Sequence, residues 1–174
     1  MTQHFNPITI TLTPQEMSDA TKAASGRWQL SRAAGIANQR RATQSDAEID
    51  LLGIKAEIAV AKILNCDYSP FHMGVDNGMD MWHGQASIDI KATFHESGSL
   101  LFKSREAFRA NCAILATKTD DETKIRIIGG CSRNRFMKEA ENVDLGYGPC
   151  WIMQQVNLSP IEAVWRILTE ERYK

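Results

Sequence analysis

The chain has 174 residues, of which 43% are hydrophobic and 24% are charged, and its formal net charge is -1. This length predicts one compact domain with one core and short decorations, and the composition is typical of a soluble globular protein. A net charge so close to zero excludes a polycation, so any nucleic-acid partner would have to bind a local basic patch.

No apolar run is long enough to span a membrane, and the first ten residues lack the basic and apolar regions of a secretion signal. We therefore expect a cytoplasmic protein. The cysteines are widely spaced and form no C-x-x-C pair, which argues against a structural zinc site. Their pattern instead predicts reduced, buried thiols at Cys66, Cys112, Cys131 and Cys150.

The sequence of residues 1–44 predicts a strand followed by a basic helical segment. Alternating isoleucine and threonine over residues 8–12 predict the strand. A helix should follow, because Thr13 is a favourable N-cap and is followed by proline and, two residues later, by an acid. The helix should run toward residue 41, and Gly26 and Gly35 are the positions at which we would expect it to break.

This helical segment has a basic balance. Between residues 13 and 41, five basic and two acidic side chains leave a charge of +3. Arg40 and Arg41 close the segment, and we expect them to bind the nucleic-acid backbone. The alternative is that they belong to a solvated or mobile linker.

Residues 45–174 predict a core of mixed helices and strands. A capping box at Ser45 begins a helix that should end near Leu64. Strands are predicted at residues 79–82 and 87–93, joined as a hairpin, and at residues 100–103, 112–117, 124–129 and 151–156. Further helices are predicted at residues 104–110 and 134–140, and from a capping box at Ser159 to about Glu170. This order favours an α/β or α+β sheet with helices on its faces.

The strand at residues 87–93 contains the first candidate site residues. Side chains alternate across a strand, so Ile88 and Ile90 should pack against a helix while Asp89 and Lys91 share the other face. An acid and a base placed in this way can reach one small volume. A lone D-x-K triplet is more often only an ion pair on an exposed strand face, so a functional site needs further partners.

Asp80 is the first such partner. It lies nine residues before Asp89, on the strand expected to pair with it, and its neighbours are apolar. A charge in that position is costly unless it is paired or bound to metal. The alternative is a turn aspartate after Gly78, and Asp76 is a weaker candidate because it lies in a good turn sequence.

Glu57 is the second partner. On a helical wheel, a stripe through Glu48, Lys55 and Lys62 should face the solvent, and Glu57 falls roughly opposite to it. An acid on the inward side of a helix is unusual. The alternative is a solvated acid at the edge of the apolar face. Three carboxylates beside a lysine provide the oxygen ligands that Mg²⁺ prefers. That set suits hydrolysis of a phosphodiester, with a metal-activated water and a lysine that orients it.

These motifs are similar to those of a known superfamily. Gly53-x-x-x-Glu57, then Gly78-Met79-Asp80, then Asp89-Ile90-Lys91 resemble the PD-(D/E)xK phosphodiesterases, which have the restriction-endonuclease-like fold, and more narrowly small nuclease-like proteins of bacteriophages. The resemblance implies a mixed central sheet flanked by helices and metal binding by Glu57, Asp80, Asp89 and the carbonyl of Ile90. It implies that Lys91 is the catalytic base or the residue that orients the water. The sequence departs from the pattern at Met79, where many members have proline.

We therefore expect a Mg²⁺-dependent endonuclease, with Mn²⁺ as a substitute and DNA as the substrate, located in the host cytoplasm if it is encoded by a phage. Lys103 and Arg105 should contact phosphate at the start of the predicted short helix. Trp82 could stack on a base, although packing in the hairpin is the commoner role. Alternatives are a non-cleaving module that binds nucleic acid or inhibits a host protein, and a structural component of a phage particle or replication complex. Cutting both strands of a duplex would call for a homodimer.

Overall fold

The computed structural model describes residues 6–35, 44–72 and 78–170. Within these ranges the chain forms a mixed β-sheet with flanking helices, which confirms the predicted α/β (α+β) class. No helix in the described ranges is both long and apolar enough to cross a membrane. The elements, in chain order, are β1 (Ile8–Thr11), α1 (Pro14–Ala33), α2 (Asp46–Leu64), β2 (Met81–His83), β3 (Ala86–Thr93), β4 (Leu100–Phe102), β5 (Cys112–Lys118), β6 (Lys124–Ser132), α3 (Arg133–Glu139), β7 (Glu141–Asp144), β8 (Pro149–Met153) and α4 (Ile161–Leu168).

The main sheet has five strands in the order β1-β6-β5-β3-β2. Strands β3 and β5 are parallel, with Asp89 opposite Ala113, and the other pairs are antiparallel. The predicted hairpin is present: Trp82 pairs with Ser87 across a turn in which Gly84 has a φ of 59°, a value that glycine adopts easily. A second sheet contains β4, β8 and β7 in that order. Because β2 is an edge strand, β3 lies one strand away from open solvent.

Local sequence signals account for the starts of the two long helices. Thr13 and Ser45 each accept a hydrogen bond from the backbone of a glutamate three residues later, and that glutamate bonds back to the cap, so both are complete capping boxes. Helix α1 passes through Gly26 without a break and ends just before Gly35, which has a φ of 69°.

The hydrophobic core has two layers, one on each face of the main sheet, rather than the single core predicted. Central strand β5 is buried on both faces and divides its side chains between the layers. Ile114 packs with α1, α2 and the Ile88–Ile90 face of β3, whereas Leu115 packs with a cluster of phenylalanines. Alternation along a strand that is covered on both sides requires this division. The phenylalanine cluster is Phe102, Phe108 and Phe136.

Three local predictions are wrong. Residues 104–110 form turns instead of a helix. Ser159 does not cap α4, because its backbone pairs with Gly130 and Pro160 takes the N-cap position without a side-chain bond. Lys55 is only 8% exposed rather than solvated, and its ammonium donates to the carbonyl of Glu122 at 3.1 Å.

The strand at β7 was not predicted from the sequence, which has little β-branched or aromatic character there. The four cysteines are free thiols. Three of them are buried as predicted, and Cys66 is only partly buried.

Candidate active site

Asp89 and Lys91 form an ion pair on the face of β3 that points away from α2. The Lys91 ammonium lies 2.6 Å from Asp89 Oδ1, and it also lies over the ring of Phe102, 4.9 Å from the ring centroid. Asp89 is buried, whereas 38% of the Lys91 side chain is exposed. The lysine head is therefore positioned by a carboxylate and an aromatic face and remains accessible to a substrate.

Asp80 lies beside this ion pair, across from β3. It comes directly before Met81, which pairs with Ile88, so its backbone runs beside Asp89. Its Oδ2 accepts a hydrogen bond from the Ile90 amide at 2.6 Å. Burial, followed by repulsion from the Glu57 and Asp89 carboxylates, raises the pKa of Asp80 to about 8. The hydrogen bond from Ile90 and the charge of Lys91 oppose that rise. Each of the other predicted catalytic side chains therefore influences the pKa of Asp80.

Glu57 is buried, as the helical wheel predicted, and two residues bind it. The Arg27 guanidinium donates to both carboxylate oxygens, at 2.8 and 2.9 Å, and the Tyr68 hydroxyl also donates to Oε2. This bidentate hydrogen bond with Glu57 raises the pKa of Arg27, and burial followed by the charge of Glu57 raises the pKa of Tyr68. The charge of Asp80 contributes to raising both pKa values as well, so Asp80 and this group are linked electrostatically.

Arg27 and Tyr68 were not predicted as site residues. In the sequence, Arg27 is one of five basic residues in the first helical segment, and Tyr68 lies in a stretch that predicts a loop. An inward-facing acid such as Glu57 indicates that some donor must satisfy it. No spacing rule identifies a donor 30 residues away on another helix, so only the fold reveals this one.

The acids fit a hard cation in part. Asp80 and Asp89 are neighbouring oxygen donors whose mutual repulsion a divalent cation would relieve. Both oxygens of Glu57 already accept hydrogen bonds, which favours contact through water over direct ligation. Among the residues described, no three His, Cys, Asp or Glu side chains form a group that could hold a metal ion.

The predicted phosphate contacts have separate outcomes. Lys103 is exposed, and the Arg105 guanidinium stacks over Trp151 at 3.8 Å from the ring centroid. Phosphate binding by these two residues remains a prediction. Their expected position at the start of a helix is wrong, because the segment forms turns. Arg40 and Arg41, together with Asp76, lie outside the described residues.

Chemically, the arrangement combines a paired acid and lysine with a second acid that holds its proton unusually well. Such perturbed acids are concentrated at functional sites. No family model, no curated protein and no solved structure matches this chain.

Proposed function

We propose that this chain is a metal-dependent nuclease that hydrolyses phosphodiester bonds, with DNA as the expected substrate. One observation carries the proposal: the Asp89–Lys91 pair, 2.6 Å apart, lies beside Asp80, whose pKa is raised to about 8. Like charges gathered in a partly buried volume are costly, unless a bound cation compensates for them. The motifs that resemble the PD-(D/E)xK superfamily support the same function.

The fold supports the proposed function only at the level of its class. A parallel strand pair, β3 and β5, lies beside an antiparallel hairpin in a sheet with helices on its faces. A restriction-endonuclease-like fold, a bacteriophage origin and a place in the host cytoplasm belong to the same proposal. Each of them rests on the resemblance.

Asp80 and Asp89 are the residues that would hold Mg²⁺, with the carbonyl of Ile90 as a further ligand and Glu57 acting through water. When bound, the ion lowers the pKa of a water molecule and neutralises charge on the scissile phosphate. Lys91 donates hydrogen bonds that orient the attacking water and stabilise the negative phosphoryl oxygens. The water oxygen forms a bond to phosphorus and gives up a proton to solvent. The bond between phosphorus and the leaving oxygen breaks, and that oxygen takes up a proton from solvent.

A cleavage assay tests this function. Wild type, Asp89→Asn and Lys91→Ala are incubated with single-stranded, duplex and branched DNA and with RNA, in Mg²⁺, Mn²⁺ or chelator. Lys124→Ala is the matched control, because Lys124 also pairs with an acid, at 2.9 Å, and is 43% exposed. Both site variants should lose at least about 100-fold in rate, and the control should not. Equal rates for all four proteins would overturn the assignment.

A second candidate is a non-cleaving module that binds nucleic acid or a host protein. Its favouring observation is that Glu57 is already neutralised by Arg27 and that Asp89 is paired with Lys91, so the charges are balanced without a metal. In that case the wild type would bind nucleic acid or a protein partner but would release no product with either cation.

A further inference from the structure

Trp82 lies on the same face of the sheet as the proposed catalytic pair. It pairs with Ser87 across the hairpin, and opposed residues point to the same side. Alternation along β3 places Ser87, Asp89 and Lys91 on that side, whereas Met81 is buried against the opposite layer. Trp82 is thus a diagonal cross-strand neighbour of Asp89, a spacing of about 7–8 Å.

The Trp82 indole is also available for contact. It is 53% exposed although it lies within a paired strand. In the described part of the chain, each of the other tryptophans has a charged or aromatic side chain against its ring, and Trp82 has none. Those pairs are Arg32 with Trp28, Arg105 with Trp151 and His83 with Trp165.

Basic side chains extend from the proposed catalytic pair toward the second sheet. Lys91 contacts Phe102, and Phe102 pairs with Trp151, which carries Arg105. Lys103 follows Phe102 and is exposed. An exposed aromatic ring beside cationic side chains is how proteins bind single-stranded nucleic acid, because bases stack on the ring while lysine and arginine contact the phosphates.

We propose that Trp82 stacks on an unpaired nucleobase next to the scissile phosphate, and that the substrate class is therefore single-stranded nucleic acid. The inference rests on the proposed function. A base within a duplex is already stacked on both faces and cannot accept the indole, so blunt duplexes should bind without help from Trp82. Strand pairing holds the backbone of Trp82 in place, and the indole has only two side-chain torsions to order on binding.

Binding to protein that carries Lys91→Ala, in Mg²⁺, separates recognition from cleavage. Fluorescence anisotropy compares a labelled single-stranded oligonucleotide, the same sequence as a blunt duplex, and a duplex with a single-stranded overhang. Adding Trp82→Ala should weaken binding to the single strand and the overhang by about 5- to 100-fold. Trp82→Phe should restore most of that loss, and blunt duplex binding should not change. The control is Trp165→Ala, since Trp165 is a comparably exposed indole on α4.

Single-strand binding that is unaffected by Trp82→Ala, or an equal loss on blunt duplex, overturns the inference. Either result is compatible with the proposed nuclease function, provided that wild type still cleaves. If wild type does not cleave but its binding to single strands depends on Trp82, the stacking role is supported and the proposed nuclease function is rejected. If the protein binds neither single strands nor duplexes, both fail. Circular dichroism of each variant checks folding.

Discussion

The guanidinium of Arg27 forms two parallel hydrogen bonds with the carboxylate of Glu57, at 2.8 and 2.9 Å, and so ties α1 to α2 beside the acidic cluster. A planar fork that matches a carboxylate in this way holds it in one orientation, which lysine cannot reproduce. Tyr68 donates a further hydrogen bond to the same carboxylate. The Glu57 carboxylate therefore has a defined position, and from it repels the carboxylate of Asp80.

Removing the Arg27 guanidinium should destabilise the protein. Arg27→Ala leaves a buried carboxylate with only the Tyr68 hydroxyl, and we expect the free energy of unfolding to fall by about 2 kcal/mol. Urea denaturation measures the change. Arg32→Ala is the control on the same helix, since the Arg32 guanidinium lies over the Trp28 ring, 4.5 Å from the ring centroid.

The double variant Arg27→Met with Glu57→Leu should recover much of that stability, because it removes both charges together. A double variant less stable than the sum of the two single changes would contradict this account of the pair.

Stability in the absence of metal should depend on the ionisation of Asp80. Its pKa is raised from 3.8 to about 8, so the folded state holds the proton more tightly than the unfolded state does. The stabilisation is therefore complete below about pH 4 and is lost as the pH rises toward 8. Asp80→Asn should remove this slope.

Melting temperatures of wild type and Asp80→Asn between pH 4 and 9, in chelator, measure that effect as the difference between two curves. Acids with lowered pKa values, such as Glu16 and Asp121, act in both proteins and cancel in the difference. A difference that is flat across the range would show that Asp80 ionises normally.

A divalent cation should stabilise the protein through Asp80 and Asp89. At pH 8, Mg²⁺ or Mn²⁺ at about 100 times its dissociation constant should add about 2.7 kcal/mol to the free energy of unfolding. Asp80→Asn and Asp89→Asn should lose most of that response, and the surface variant Asp121→Asn should keep it. Thermal unfolding with and without the ion is the measurement, and an equal response in all four proteins would rule out this site.

The ring of Phe102 should contribute to the position of Lys91. Phe102→Leu keeps an apolar side chain in the phenylalanine cluster but removes the aromatic face below the ammonium. We expect the cleavage rate to fall by between about 2- and 30-fold, the range that a cation–π contact supplies. Phe136→Leu, in the same cluster but without a contact to Lys91, should unfold at a similar temperature and retain the wild-type rate. Identical rates for both variants would remove Phe102 from the site.

The sequence by itself determined the features that depend on residues a few positions apart. The capping boxes at Thr13 and Ser45, the hairpin between β2 and β3, and the inward direction of Glu57 all follow from short-range spacing and periodicity. The two faces of β3 follow in the same way. For this reason the sequence alone identifies Asp80, Asp89 and Lys91 as candidate site residues.

Only the tertiary structure decided which distant groups meet. Arg27 binds Glu57 from another helix. The buried ammonium of Lys55 donates a hydrogen bond to the carbonyl of Glu122. Ser159 pairs with Gly130 instead of capping α4. These contacts join segments 29 or more residues apart, and their energies depend on burial and packing that no local pattern encodes. The electrostatics of Asp80 arise in the same way, because Glu57 and Asp89 act on it only after two strands and a helix have packed together.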